Sequence, residues 1–403
     1  MRHPVLLPNV AVSVFVTSLL LAGCASHSSV SAPASPSQSV VASGSAAAPL
    51  AGPVAVPAAP APPACGAGAE MLASMSTRDK LAQLLMVGIR DAADARAVVG
   101  EYHVGGIMIG SWTDLSMLSD GTLPAIANIG PLPLAVSVDE EGGRVSRLAS
   151  LIGAIPPART LAQTQTPDQV YQLALSRGKQ MRALGVTVDF APVVDVSDQP
   201  ADSVIGDRSF SDDPAVVVSY AGAFARGLRD AGLLPVIKHF PGHGHGSGDS
   251  HTAGAVTTPP LAQLMSNDLV PYRSLVAQPP VAVMVGHLEV PGLTGQTPAS
   301  LSSAAVNLLR SGGYGGPAFD GPIFSDDLSS MAAINTRYGV ADAVLRSLQA
   351  GIDVALWITT DEVPAVLDRL EKAVDAGDLA LPAVEASVVR MAGIKGPSGR
   401  CGG

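Results

Sequence analysis

The sequence predicts an α/β chain folded as a single (β/α)8 TIM-like barrel domain. Three observations carry that expectation. Eight short, near-continuously apolar runs recur after residue 80, segments with helical end signals separate them, and residues able to do chemistry gather at the C-terminal ends of the runs. Strands buried on both faces read as unbroken apolar runs. Eight of them alternating with helices over about 250 residues is the pattern of a barrel.

The predicted strands are 83–89, 104–109, 134–138, 186–190, 234–237, 281–285, 322–324 and 353–357. Thr166-Pro167-Asp168 opens a helix that stops at Gly185, and Asp213-Pro214 opens another that stops at Gly232. Ser302 or Ser303 caps a third, ended by Gly312, and Asp361 starts a fourth, ended by Gly377. Short polar side chains satisfy the free N–H groups at helix starts, and glycine takes the left-handed turn at helix ends. An open doubly wound sheet is the structural rival. The barrel is favoured because Asp139, Lys238, His239, His287 and Asp326 lie at strand C-termini, which a barrel brings to one face.

Ahead of this domain the chain reads as an export and tethering region. Arg2 precedes an apolar stretch, 10–21, too short for a comfortable membrane span, and Leu21-Ala22-Gly23-Cys24 follows. That tetrapeptide looks like a bacterial lipobox. Residues 1–23 are therefore expected to be a lipoprotein signal peptide, with lipid on Cys24; an ordinary secretory signal is the alternative. Residues 24–64 are rich in Ala, Pro and Ser and hold no Asp, Glu, Lys or Arg, as in a linker. The expected placement is the cell envelope, lipid-anchored to the outer face of the membrane. Residues 65–403 form the predicted catalytic domain. Cys65 and Cys401 bracket it, and an even pair in an exported chain invites a disulfide, against two free thiols.

A net charge of −10 argues against a nucleic-acid partner. Aromatic residues make up 4% of the chain, which disfavours a long sugar-stacking cleft.

Four segments carry the chemistry. Asp139-Glu140-Glu141-Gly142-Gly143-Arg144-Val145-Ser146-Arg147 follows the third strand, and Gly206-Asp207-Arg208-Ser209-Phe210 lies in a loop region. Lys238-His239-Phe240-Pro241-Gly242-His243-Gly244 is separated by four residues from Asp249-Ser250-His251. Phe324-Ser325-Asp326-Asp327-Leu328-Ser329 ends the seventh strand. An aspartate two residues from a histidine in a glycine-rich loop can orient the imidazole and set its proton affinity.

In this order and spacing the segments resemble the family 3 glycoside hydrolases, in particular the bacterial β-N-acetylhexosaminidase subgroup, over roughly residues 70–395. One extra serine before Met331 departs from the pattern. The resemblance implies that Asp326 is the nucleophile, His251 the general acid/base and Asp249 its partner. It implies that Asp139, Arg147, Arg208, Lys238 and His239 hold the sugar hydroxyls. Larger members add a second domain that donates the acid; here the His251 loop is expected to supply it.

The implied function is a retaining exo-β-N-acetylglucosaminidase acting on small glycans or muropeptides, without cofactor or metal. A β-glucosidase or a phosphorylase of the same family is the near alternative. A barrel metallohydrolase using His239, His243, His245, His251 and Asp249, and a non-catalytic wall-binding lipoprotein, are alternatives of other classes. Bland roles also compete: Asp326 as a helix cap, Asp327 as the nucleophile instead, Arg208 paired with Asp207, His287 as a packed residue, and Asp189 and Asp195 as the end of a strand and a turn.

Overall fold

The computed structural model describes residues 68–395. The expected signal peptide (1–23), the expected lipid site Cys24, the expected linker (24–64), and Cys65 and Cys401 lie outside the described residues.

Eight parallel strands form one sheet: β1 (Leu85–Ile89), β2 (Gly106–Ile109), β3 (Ala135–Val138), β4 (Val188–Asp189), β5 (Leu234–Phe240), β6 (Ala282–Val285), β7 (Ile323–Ser325) and β8 (Ala355–Trp357). Each falls on one of the eight apolar runs. Neighbours in sequence are neighbours in space, and β8 returns to β1 through the register Leu85↔Ala355 to Val87↔Trp357. A Phe324↔Val354 bridge joins β7 to β8 and closes the ring. The closed barrel thus replaces the open-sheet rival.

Two cores follow from closure. Inside the ring, Met86, Met108, Phe190, Val236, Met284 and Phe324 pack together, and Met391 enters from the terminal helix Leu381–Ile394. Phe190 and Phe324 meet edge to face with centroids 5.6 Å apart. Outside, the other faces of the strands pack against the surrounding helices. Alternation around each strand is what divides its side chains between the two cores.

The helix signals hold unevenly. Thr166 and Gln169 form a reciprocal capping box at Pro167–Ala183, and Asp213 accepts from the Ala215 N–H at Pro214–Asp230. Ser302 stands at the N-cap of Ser303–Arg310 without a side-chain cap bond. Asp361 does not cap: Glu362 occupies that position before Val363–Asp375, and the Asp361 side chain stays in solvent near Arg90.

Two departures reach the site. β5 is three residues longer than its apolar run, because Lys238, His239 and Phe240 remain in the strand while its pairing with β6 shifts register between Ile237 and Phe240. β4 is shorter, at two paired residues. Directly after β3 the chain folds into an antiparallel hairpin, Glu140–Gly142 against Val145–Ser146. Gly142 and Gly143 turn it with φ of 96° and 56°, a region in which side chains with a Cβ are strained.

Glu140 anchors this hairpin. Its carboxylate is fully buried and accepts from Arg177, from the Ser146 hydroxyl and, at 2.8 Å each, from the Arg147 and Leu148 N–H groups. Removing one partner of a buried ion pair leaves an uncompensated charge, at a cost of about 3–5 kcal/mol. Glu140→Ala is expected to lower unfolding stability by about that amount in urea melts. A loss under about 1 kcal/mol would show that the hairpin does not depend on this pair.

Candidate active site

All eight residues singled out in the sequence as catalytic or sugar-holding line one cavity of about 430 Å³ at the C-terminal mouth of the barrel: Asp139, Arg147, Arg208, Lys238, His239, Asp249, His251 and Asp326. The volume lies in the range of small-ligand sites, about 300–1,000 Å³. Met108, Met284 and Leu356 form part of its apolar lining.

One wall is a charge lattice. Glu141 accepts from Arg208 through both carboxylate oxygens, at 2.7 Å each, and stands 2.6 Å from Lys238 Nζ. Lys238 Nζ also donates to Asp139 Oδ1 at 2.5 Å. Burial opposes the Glu141 charge, but Arg208 and Lys238 outweigh it and hold this carboxyl far below the usual range. Burial likewise opposes charge on Lys238, and Asp139 and Glu141 reverse that and raise its pKa. Each charge in the lattice thus faces an opposite one, with Arg208 and Lys238 against Glu141 and Asp139. Arg208 does not pair with Asp207; Asp207 pairs with Arg144 at 3.1 Å. Arg144 also donates to the Ser203, Val204 and Ile205 carbonyls, which pins the loop that presents Arg208. Arg147 makes no ion pair among the described residues.

Asp195 is more than the end of a turn. It is fully buried, and its Oδ2 lies 2.7 Å from His239 Nδ1. Its Oδ1 accepts from the His239 and His243 N–H groups at 3.2 and 2.8 Å. This bond places the His239 proton on Nδ1 and leaves Nε2 toward the cavity, 3.5 Å from Arg208. Gly244 follows because its Cβ position lies 1.9 Å from the Val196 carbonyl oxygen, so no side chain fits there.

Asp249 and His251 stand at the rim and are both substantially exposed. Asp249 Oδ1 lies 2.7 Å from His251 Nδ1 and accepts from the His251 N–H at 2.9 Å. Nε2 is thereby the nitrogen left to exchange a proton. Burial pushes the Asp249 carboxyl up, but the His251 N–H, ring and charge bring it below its ordinary value. Between them Ser250 is buried, with its hydroxyl 3.4 Å from His243 Nε2. The Ser250 and His251 carbonyls accept from the Ala333 and Ala332 N–H groups. The loop is thus tied down both toward β5 and toward the segment after β7.

Asp326 and Asp327 are separated by their hydrogen bonds. Both Asp327 oxygens are taken, one by the Ser329 N–H and hydroxyl and the other by those of Ser330. Asp327 closes a turn. Asp326 accepts from the Asp327 N–H at 2.9 Å and otherwise faces the cavity. Burial raises its pKa, but the charges of His287, His239 and His251 prevail and hold it at about 2. His287 is buried below, between the Ser300 hydroxyl and the Asp327 carbonyl at 2.7 Å each, a packed position as expected. Asp189 is buried and accepts from the Glu140 N–H at 3.0 Å, and burial pushes its carboxyl well above the usual range.

The histidines of the loop diverge. His245 turns to Asp268 at 2.8 Å and His243 lies buried toward Ser250. Among the described residues no three His, Cys, Asp or Glu side chains form a group able to hold a metal ion. Sequence reasoning missed Glu141 and Asp195. Glu141 was legible only as part of its motif, and Asp195 carried no local signal, since its partner is 44 residues away.

His243 gives a pH signature. Burial, and the charge of His239, lower its pKa to about 4, against 6.5 unperturbed. Below pH 6.5 the unfolded chain binds a proton that the folded chain refuses until about pH 4, so this residue makes stability fall as pH drops through that window. His243→Gln is expected to flatten the decline between pH 7 and 5 in urea melts. An unchanged slope would show that His243 does not carry it.

Residues 76–394 match the Glycosyl hydrolase family 3 N terminal domain. The β-hexosaminidase LpqI of Mycobacterium tuberculosis is 68% identical over 352 residues, covering 87% of this chain and 90% of that protein. The crystal structure of a family 3 glycosyl hydrolase from Mycobacterium smegmatis superposes with a TM-score of 0.80 at 73% identity, covering 81% of this chain and 99% of that one. A family 3 β-N-acetylglucosaminidase from Paenibacillus sp. superposes with a TM-score of 0.74 at 32% identity, covering 81% of this chain and 63% of that one. A closed eight-stranded barrel, a cavity walled by carboxylates, cations and histidines, and a match over most of the chain lead to one conclusion: this chain belongs to glycosyl hydrolase family 3.

Proposed function

We propose that this chain is a retaining exo-β-N-acetylglucosaminidase that releases terminal β-linked N-acetylglucosamine from small glycans. The observation that carries this reading is the convergence of Asp326, the Asp249–His251 pair and the Asp139–Lys238–Glu141–Arg208 lattice on one cavity. The hexosaminidase and N-acetylglucosaminidase relatives support the choice of sugar.

Each group has a step. The lattice offers fixed charges to the hydroxyls of the terminal sugar. The ionised Asp326 carboxylate attacks the anomeric carbon and forms the glycosyl-enzyme, while His251 gives its Nε2 proton to the departing oxygen. Water then attacks the same carbon as His251 takes a proton back, and Asp326 leaves as carboxylate. Asp249 stabilises the imidazolium whenever the ring is charged. An imidazole has no anionic charge, so the carboxyl-spacing rule for retaining enzymes does not transfer to this pair.

We also propose that Cys24 carries lipid, a reading supported by the lipobox-like Leu21-Ala22-Gly23-Cys24, and that residues 24–64 tether the domain at the outer face of the cell membrane. Fragments of the cell wall are then the natural glycans within reach.

Asp326→Ala is expected to abolish turnover of an aryl N-acetyl-β-glucosaminide, with the aryl β-glucoside turned over more slowly than the N-acetyl substrate by wild-type enzyme. Release of free sugar by Asp326→Ala at the wild-type rate would end this mechanism. His251→Ala should lower kcat about 10²–10⁴-fold on poorly leaving alcohols. Activated aryl substrates, which need no proton at the leaving oxygen, should lose much less. Equal losses on both would remove His251 from the acid role.

A further inference from the structure

Asp249 and His251 are substantially exposed at the rim, so packing does little to place them. Their position rests on the bonds of the loop that carries them. That loop leaves β5 and closes on a neck, where the Ser247 N–H donates to the Thr257 carbonyl at 2.9 Å and the Thr257 N–H to Ser247 Oγ at 3.0 Å. A parallel bridge, Thr257↔Glu289, fastens the neck to the segment after β6. There the Glu289 N–H donates to the Val256 carbonyl at 2.8 Å, and the Thr258 N–H to the Glu289 carbonyl at 3.0 Å. The Asp249 carbonyl accepts from the Thr252 and Ala253 N–H groups, which folds the tip into a turn.

One side chain outside the cavity joins these pieces. Arg337 follows the short helix Ala332–Asn335, in the segment that begins with Asp326. Its Nη2 donates to the Gly254 carbonyl, three residues past His251, at 3.0 Å and to Glu289 Oε1 at 2.7 Å. Its Nη1 donates to the Gln296 carbonyl at 2.9 Å. Glu289 is buried, and the backbone bonds that bridge it to the loop also fix the carboxylate that Arg337 meets. The contacts thus run in a ring, from the loop to Glu289, from Glu289 to Arg337 and from Arg337 back to the loop. From the same segment as Arg337, the Ala332 and Ala333 N–H groups reach the His251 and Ser250 carbonyls at 3.3 and 3.2 Å. None of Gly254, Glu289 and Arg337 lines the cavity.

We propose that Arg337 is a positioning residue for proton transfer: it holds the loop of Asp249 and His251 against the segment that carries Asp326, and so sets the acid relative to the nucleophile. Proton transfer needs the donor within hydrogen-bond reach of the departing oxygen, and a misplacement of about 1 Å can cost about 10²-fold in rate. The planar fork of a guanidinium spreads its donors over three acceptors, a reach that the point charge of a lysine matches only in part. Asp326 is placed by other means, at the end of β7 and by the Asp327 N–H, neither of which Arg337 touches. Loss of Arg337 therefore loosens the acid and leaves the nucleophile where it is. This role rests on the hexosaminidase reading, since it needs His251 to be the acid.

The test compares kcat/KM for a β-linked N-acetylglucosamine disaccharide, whose leaving sugar must be protonated, with that for dinitrophenyl N-acetyl-β-glucosaminide, whose leaving group need not be. Arg337→Ala is expected to lower the disaccharide-to-aryl ratio about 10- to 100-fold, in the same direction as His251→Ala, with the aryl substrate turned over nearly as by wild type. Arg337→Lys should recover part of the ratio. Glu289→Gln, which keeps the backbone bridge and weakens the pair, should lower the ratio less than Arg337→Ala, and it decides the matter if Arg337→Ala does not fold. A ratio within about twofold of wild type in the folded variant, beside a lowered one in His251→Ala, would overturn this role alone. Equal losses on both substrates would also overturn it, and would make Arg337 a support of the barrel mouth as a whole. Wild-type enzyme inert toward the aryl substrate would remove the hexosaminidase reading, and this role with it.

Discussion

The contact on which the mouth of this barrel depends is the carboxylate of Glu141. It holds Arg208 and Lys238 together, 2.7 and 2.6 Å away, and through Lys238 it reaches Asp139. Three separate stretches of chain meet at that one group: the hairpin after β3, the loop before Pro214–Asp230, and β5. Burying two cations is costly unless carboxylates face them. Four groups of balanced charge meet that condition, and in doing so they set the wall of the cavity before any sugar arrives. The hydroxyls of a ligand then meet charges already oriented, with little reorganisation left to make.

Around this lattice the environment sorts chemically identical carboxyls into different roles. Asp327 spends both oxygens on a turn, while Asp326 next to it keeps its charge for the cavity because histidines surround it. Asp195, deeply buried, fixes one histidine tautomer and braces another backbone N–H. Asp189 is pushed toward its neutral form by burial beneath the hairpin. Asp249 remains at the rim, bonded to the His251 ring. The same side chain serves as nucleophile candidate, orienting group, structural acceptor and imidazole partner, according to how much water and how much positive charge it meets.

The two histidine pairs are linked. Asp195 holds His239 at the wall and the backbone of His243 behind it, and His243 faces Ser250, the buried residue between Asp249 and His251. The rim loop is therefore docked on the same buried aspartate network that orients a cavity-facing ring. A glycine-rich segment read by itself promises only freedom of movement. Here Gly244 serves close packing against the Val196 carbonyl, and the loop is tied at both sides.

The sequence by itself determined the barrel and the membership of the cavity wall. Eight apolar runs became eight strands because burial on both faces admits no polar residue, and closure then carried the motif residues at their C-terminal ends to one place. It also located Thr166 and Asp213 as helix caps, since capping is a local bond. Only tertiary structure decided who pairs with whom. Arg208 takes Glu141, 67 residues away, rather than its neighbour Asp207, and Lys238 takes Asp139, 99 residues away. Asp195 gained its role in the same manner. Periodicity and capping act over a few residues and are written in order along the chain, whereas the partner of a buried charge is whatever the closed barrel brings within about 3 Å.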